Sequence, residues 1–202
     1  AVLERSLRRL RTDYVDVYWV HAWDQITPIE EVMRALDDMV RAGKVLHIGF
    51  SNAPAWVVSK ANTMADLRGW TPFAGLQYQY SLLDRGIERE HFSLAAEMGL
   101  ALTAWSPLGM GVLTGKYLDE AKANDRFRIN PGWGAMYLTE RNQKIAAEVV
   151  KVAKEVGHSP AQVALNWVRR RLGMDVIPIV GAKRAEQLRD SLGYLSFELD
   201  TE

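Results

Sequence analysis

The sequence predicts an α/β fold built on a parallel sheet, and three observations carry that prediction. Apolar runs rich in β-branched and aromatic residues begin near positions 15, 45, 74 and 100, at intervals of about 30, 29 and 26 residues. Between these runs, apolar residues recur at helical spacing. Polar or aromatic residues then close the runs: His21, Ser51 and Asn52, Gln77, and Trp105 with Ser106. Repeated βα units imply right-handed crossovers, with the sheet either doubly wound or closed into a barrel. Both arrangements place a ligand at the C-terminal ends of the strands.

The elements follow in order. Leu3, Leu7 and Leu10 give a short amphipathic helix whose outer face carries Arg8, Arg9 and Arg11. After Thr12-Asp13, the run from Tyr14 to Val20 is a strand ending at His21. Pro28 opens a helix that turns Val32, Met33, Leu36, Met39 and Val40 inward as far as Gly43. Lys44 to Gly49 is the second strand, and a helix from about Pro54 to Arg68 turns Trp56, Val57, Met64 and Leu67 inward. Phe73 to Tyr80 is the third strand, Ile87 to Met98 a helix, and the run from Leu100 the fourth strand. Residues 106–137, rich in Gly, Asn and Pro, are too long for a simple connector and read as a functional loop. A helix spans about Thr139 to Val156, and the next begins at Ser159-Pro160, an N-cap with proline in the first helical position. Asp175 to Val180 is the fifth strand, and a last helix reaches about Leu192.

Composition narrows the function. The 202 residues, 48% apolar and 25% charged, suffice for one sizeable core, and a single domain over 1–202 is expected. The 25 basic residues balance the 25 acidic ones, so no net field draws the chain to nucleic acid or to an anionic membrane. No apolar run approaches the length of a membrane span. The absence of cysteine removes disulfides, thiolate ligands and a Cys nucleophile, and fits a cytoplasmic setting. His47, His91 and His158 form no paired ligand spacing, so no metal site is expected. The chain opens without Met, on a charged, helix-like stretch, and reads as a piece of a longer protein.

The strand-end residues carry the candidate chemistry. A neutral imidazole at His21 could polarise a carbonyl, or simply be hydrogen-bonded at the rim. Ser51, Asn52 and Gln77 have the donors and acceptors to hold a carboxamide, or to serve turns and caps. Trp105 offers a flat ring for a planar heterocycle, or fills core. The glycines after it let backbone N–H groups approach phosphate oxygens. Lys116 follows Gly115 but does not complete a P-loop, because Met110 stands where its first glycine belongs and Tyr117 follows the lysine. Gly181 and Lys183 ahead of a helix form a second candidate phosphate seat.

Taken together, these residues resemble the aldo-keto reductases, nicotinamide-dependent enzymes on a TIM barrel. The resemblance runs through Ser6-Leu7-Arg8-Arg9-Leu10, Asp13 to Tyr18 with His21, Gly43-Lys44-Val45 and Ile48 to Asn52. It continues in Gln77-Tyr78, Ser81-Leu82-Leu83, Trp105 to Gly109, Gly115-Lys116-Tyr117 and Pro178 through Gln187-Leu188. The likeness is greatest to the bacterial branch similar to potassium-channel β-subunits. It implies part of a TIM (β/α)8 barrel, about five parallel strands (strands 4–8) with flanking helices, incomplete at the N-terminus and slightly at the C-terminus. Such an open sheet would leave unpaired edges and exposed apolar faces, and the isolated piece would be inactive.

By the same resemblance, His21 is the catalytic residue that orients and polarises a substrate carbonyl. Ser51, Asn52 and Gln77 fix the nicotinamide carboxamide, and Trp105 stacks on the ring. Ser106, Pro107, Leu108, Gly109 and Met110 follow the pyrophosphate, with Lys116 and Arg126 on phosphates. Gly181, Lys183, Gln187, Asp190 and Ser191 hold the adenosine end, although the family's usual Glu-Asn pair here reads Asp190-Ser191. A cation at Lys183 favours the ribose 2′-phosphate, hence NADPH (NADP+). The implied reaction is reduction of a small aldehyde or ketone to an alcohol. The family's proton-donating tyrosine, with its Asp and Lys, precedes the histidine, and Tyr14, Tyr18, Tyr78 and Tyr80 do not match its position. The alternative is a nucleotide-binding, redox-sensing module similar to the channel β-subunits, against which the histidine at position 21 counts. Nothing in the sequence sets the oligomeric state.

Overall fold

The structure, a computed structural model, describes residues 2–118, 131–171 and 173–199. The chain is α/β, with mostly parallel strands and flanking helices, and divides into two compact units. The first comprises Ala1–Tyr78 with Arg89–Leu102, and the second Gln79–Glu88 with Thr103–Glu202.

In the first unit lie α1 (Val2–Leu10), β1 (Val15–Val20), α2 (Ile29–Arg41), β2 (Val45–Ser51), α3 (Ala55–Arg68), nearly all of β3 (Phe73–Gln79), and α4 (His91–Met98). β1, β2 and β3 lie side by side and parallel, in chain order. Phe50 faces Leu76 across one ladder, and both are buried, each such side chain contributing roughly 1.5–3 kcal/mol. Trp19 stands opposite Gly49 on the other face and lies across it, leaving no room for a Cβ. Val17 and His47 on that same face stay exposed, as expected for an open sheet.

Two polar side chains tie the helices to the sheet. The Asn62 amide of α3 donates to the Phe73 carbonyl (3.1 Å) and accepts from its N–H (2.9 Å), extending the β3 ladder sideways. Asp37 of α2, 2% exposed, accepts from the Thr71 N–H (2.8 Å), the Thr71 hydroxyl (3.0 Å) and Arg41 (2.5 Å). Burial alone would raise its pKa, but these donors outweigh burial and hold the carboxyl below the ordinary range.

The second unit holds the end of β4 (Ala101–Trp105), a 3₁₀ turn over Gly109–Thr114, α5 (Pro131–Tyr137), α6 (Glu140–Val156), α7 (Pro160–Arg169), β5 (Arg170–Arg171), β6 (Met174–Pro178) and α8 (Ala185–Leu192). Its strands run in the order β4-β6-β5, with the Ile179 N–H donating to the Ala104 carbonyl (2.8 Å). The core gathers Val112, Leu113 and Tyr117 against Ala146, Val149 and Ala164. Thr139 caps α6 through the Asn142 N–H, and Ser159 with Gln162 forms a full capping box on α7.

Several expectations are corrected. Trp56 and Leu67 are 58% and 80% exposed, and α3 instead buries Val57, Val58, Ala61 and Ala65. Apolar residues occur all round that helix, so spacing did not single out one face, and small residues took the close-packed one. Leu10 is exposed at the last turn of α1. The expected helix over 87–98 is a 3₁₀ turn (Gly86–Arg89) followed by α4, because Glu90 leaves helical backbone at φ −133°. Within the expected loop 106–137, Pro131–Tyr137 is helical, opened by a proline that suits the first helical position. The two-residue β5, antiparallel to β6, is a strand the sequence did not announce. Among the described residues, no helix is long and apolar enough to cross a membrane.

Replacing Asp37 with alanine should lower the unfolding free energy by about 2–3 kcal/mol in urea denaturation at pH 7, because it orphans buried donors. A carboxyl lowered in the fold stabilises fully above its unfolded value, 3.8, and loses that effect as pH falls through its folded value. The gap between wild type and variant should therefore close in that acid window.

Candidate functional site

The residues predicted to act fall into two groups, one in each unit. In the first, the structure brings His21, Ser51, Asn52 and Gln77 together at the ends of β1, β2 and β3. The Asn52 Nδ2 donates to the His21 carbonyl (3.2 Å) and to the Ser51 Oγ (2.9 Å). The Ser51 Oγ and the Asn52 N–H both donate to the Gln77 carbonyl, at 2.9 and 3.2 Å. Asn52 adopts the left-handed conformation, φ 52°, which asparagine tolerates better than most residues. The His21 side chain remains exposed, and the half-buried Gln77 side chain carries both an amide donor and an amide acceptor.

The loop after His21 is stiffened by Asp24, which accepts from the Ile26 N–H (2.9 Å), the Thr27 N–H (2.9 Å) and the Thr27 hydroxyl (2.5 Å). The hydroxyl, then the two N–H groups, hold its carboxyl below the ordinary range. Between His21 and that turn, Trp23 meets Trp56 edge to face, with centroids 5.4 Å apart and planes at 88°. This aromatic pair differs from the sequence expectation, which turns Trp56 into the core and gives Trp23 no role. The spacing His21-Ala22-Trp23 was the available signal.

The Tyr78 and Tyr80 hydroxyls are each committed to another group. The Tyr78 hydroxyl donates to the Ala53 carbonyl (2.6 Å), and burial pushes its pKa up to about 12. The His91 Nε2 lies 3.0 Å from the same carbonyl, and its ring meets Tyr78 with centroids 4.2 Å apart and planes tilted at 57°. In the second unit, the Tyr80 hydroxyl donates to Glu88 (2.7 Å), and burial first, then that carboxylate, raise its pKa. Arg85 holds Glu88 by two bonds, 2.9 and 2.8 Å, and keeps its carboxyl low.

The second group surrounds a cavity of about 600 Å³, within the usual range for small-molecule sites. Of the predicted residues, Ser106, Pro107, Leu108, Met110, Lys116, Gly181, Lys183, Gln187, Asp190 and Ser191 line it. Trp105 and Gly109 do not: Trp105 closes β4, its carbonyl accepting from the Tyr80 N–H (3.3 Å), and Gly109 is buried against Leu83. Arg126 lies outside the described residues. Ser159, Pro160 and Ala161, at the start of α7, also line the cavity. The sequence marked Ser159-Pro160 as a cap but gave no sign that the cap was also a wall.

Backbone geometry shapes one side of this cavity. Ser106, Gly109, Met110 and Gly111 all have positive φ, from 53° to 93°. Ser106 and Met110 adopt it without being glycine, a strain of roughly 1–3 kcal/mol each that recurs at ligand sites. A Cβ on Gly111 would stand 3.0 Å from the Lys116 Nζ, so glycine keeps the backbone and the ammonium close together. Across the cavity, the Lys183 and Arg184 N–H groups donate to the Gln187 Oε1, at 2.9 and 3.3 Å, which caps α8. Asp190 accepts from the Ser159 Oγ (2.9 Å) and the Gln162 Nε2 (3.2 Å). Two lysines, a left-handed glycine loop and the first turn of a ten-residue helix suit a ligand carrying several phosphates. A dinucleotide fits that donor set. Among the described residues, no cluster of three or more His, Asp or Glu could hold a metal ion.

Several curated oxidoreductases are similar to this chain. Over 198 residues the chain is 37% identical to a probable aryl-alcohol dehydrogenase of Saccharomyces cerevisiae, covering 98% of this chain and 60% of that protein. It is 35% identical over 206 residues to an NADP(+) aryl-alcohol dehydrogenase of Phanerodontia chrysosporium, covering 98% and 52%. It is 36% identical over 200 residues to a norsolorinic acid reductase of Emericella nidulans, covering 99% and 49%. The chain thus spans about half to three-fifths of the length of these curated relatives. The model of the aldo/keto reductase family matches residues 1–202, and the chain belongs to that family.

Proposed function

We propose that the complete protein is an oxidoreductase that reduces an aryl aldehyde or ketone to the alcohol, with NADPH as hydride source. The observation that carries this reading is the cavity of the second unit, where a left-handed glycine loop and the Lys116 and Lys183 ammonium groups share one wall system. The relatives named as aryl-alcohol dehydrogenases support the substrate class, as does the Trp23–Trp56 pair beginning two residues beyond His21. The name of the Phanerodontia relative supports the phosphorylated cofactor, and Lys183 is the cation suited to its 2′-phosphate.

When bound, the nicotinamide supplies the hydride. The protein's own residues supply position and polarity. Ser51, Asn52 and Gln77 orient the carboxamide, and Trp105 offers the ring a stacking face. Lys116 and the loop from Ser106 to Gly111 hold the pyrophosphate. His21 would donate an N–H to the substrate oxygen, drawing electron density away from the carbonyl carbon and holding that oxygen in place. Gln187, whose carbonyl caps α8, fixes the Lys183 backbone so that the ammonium projects from a rigid turn.

Two measurements test this on the protein expressed from its complete reading frame. Gly111→Ala should raise the Kd for 2′,5′-ADP about tenfold by calorimetry, the effect of roughly 1.4 kcal/mol of loop strain. Gly132→Ala, whose added Cβ meets nothing within 4 Å, should leave that Kd unchanged. His21→Ala should lower kcat/KM for benzaldehyde about 10²-fold, with nucleotide affinity intact; unchanged turnover would remove His21 from the reaction.

A further inference from the structure

The wall of the cavity formed by α7 and α8 is closed by a set of bonds that leaves little for a ligand. The Asp190 Oδ2 accepts from the Ser159 Oγ (2.9 Å), and its Oδ1 accepts from the Gln162 Nε2 (3.2 Å). The same Nε2 donates to the Asp190 main-chain carbonyl (2.8 Å). The Gln162 Oε1 accepts from the Ser159 N–H (3.2 Å) and lies 3.3 Å from the His158 Nδ1. One glutamine thus spans from the cap of α7 to the last turn of α8. Gly193, the residue after α8, makes room for it, since a Cβ there would overlap the Gln162 amide.

We infer that Asp190 is a positioning residue that clasps α8 to the start of α7 and so sets the width of the adenosine end, and that, among the described residues, this wall does not read the 6-amino group of the purine. The inference rests on the cofactor reading above. An Asp190 that recognised the base would turn its carboxylate to the amino group, but here the Ser159 hydroxyl and the Gln162 amide each hold one of its oxygens and fix the carboxylate against α7. Gln187 is committed in the same way, its carbonyl oxygen accepting the Lys183 and Arg184 N–H groups. Ser191 touches the cavity with only a small part of its surface, being 6% exposed. What remains on this wall is shape and the Lys183 charge, which recognise the phosphate and the flat purine without distinguishing adenine from hypoxanthine.

The test compares NADP+ with its hypoxanthine analogue by calorimetry, on the protein from its complete reading frame. The wild type should bind the two within about threefold. Asp190→Ala should weaken both about fivefold, the loss of one hydrogen bond's worth of positioning, with their ratio unchanged. Gln162→Met should do the same, and the double variant should be no weaker than the weaker single. Asp190→Asn, which keeps one acceptor oxygen for Ser159, should recover part of the loss and guards against a folding defect in the alanine variant. A wild-type preference for NADP+ above tenfold that vanishes in Asp190→Ala would assign Asp190 to base reading and overturn the inference. Unchanged affinities in Asp190→Ala would overturn the clasp. Binding of neither nucleotide would instead reject the cofactor reading on which the inference stands.

Discussion

At the mouth of the first unit, a single carbonyl oxygen, that of Gln77, accepts both the Ser51 hydroxyl and the Asn52 N–H. Much of the candidate chemistry depends on that shared acceptor. It pulls the end of β2 against β3 at the point where Asn52 turns into left-handed backbone, and from there the Asn52 amide reaches the His21 carbonyl at the end of β1. Three strands are thereby locked at one rim by main-chain groups that would otherwise need water. His21 is held through its own backbone carbonyl, and its side chain stays exposed.

The second unit solves a different problem. Its loop after β4 holds two non-glycine residues, Ser106 and Met110, in conformations that cost free energy, and tertiary packing must offset that cost. Val112 and Leu113, directly after the strained stretch, are buried in the core with Tyr117 and Val149. The loop is therefore pinned from behind while its front faces the cavity. Polar reach comes from Lys116 and Lys183, flexible side chains on stiff supports, an arrangement that tolerates a ligand with several anionic groups.

The sequence made the α/β class, most element positions and the rim residues legible, because each rests on local information. Strand ends announced themselves by His21, Ser51 and Gln77 interrupting apolar runs, and the α7 cap by Ser159-Pro160. What stayed hidden depends on partners far away in the chain. Asp190 could be matched to a motif position, but its bonds to Ser159 and Gln162 cross about 30 residues and appear only once two helices are docked. Helix α3 misled for a different reason: Trp56 and Leu67 are more hydrophobic than Ala61 and Ala65, yet close packing against neighbours selected the small residues. Helix α5 was masked by Gly132 and Gly134, which lower helix propensity without forbidding the helix.

The carbonyl of Ala53, just beyond the rim, binds the Tyr78 hydroxyl from β3 and faces the His91 ring from α4. To lift away, the segment 51–53 would have to release β3 and α4 together, along with the Gln77 acceptor. Its opening therefore belongs to the slow regime of cooperative local unfolding, and not to the nanosecond wandering of a surface loop. The Asn52 amide proton, held by the Gln77 carbonyl, would exchange with deuterium through that collective event, which makes this corner a clock for the cohesion of the rim.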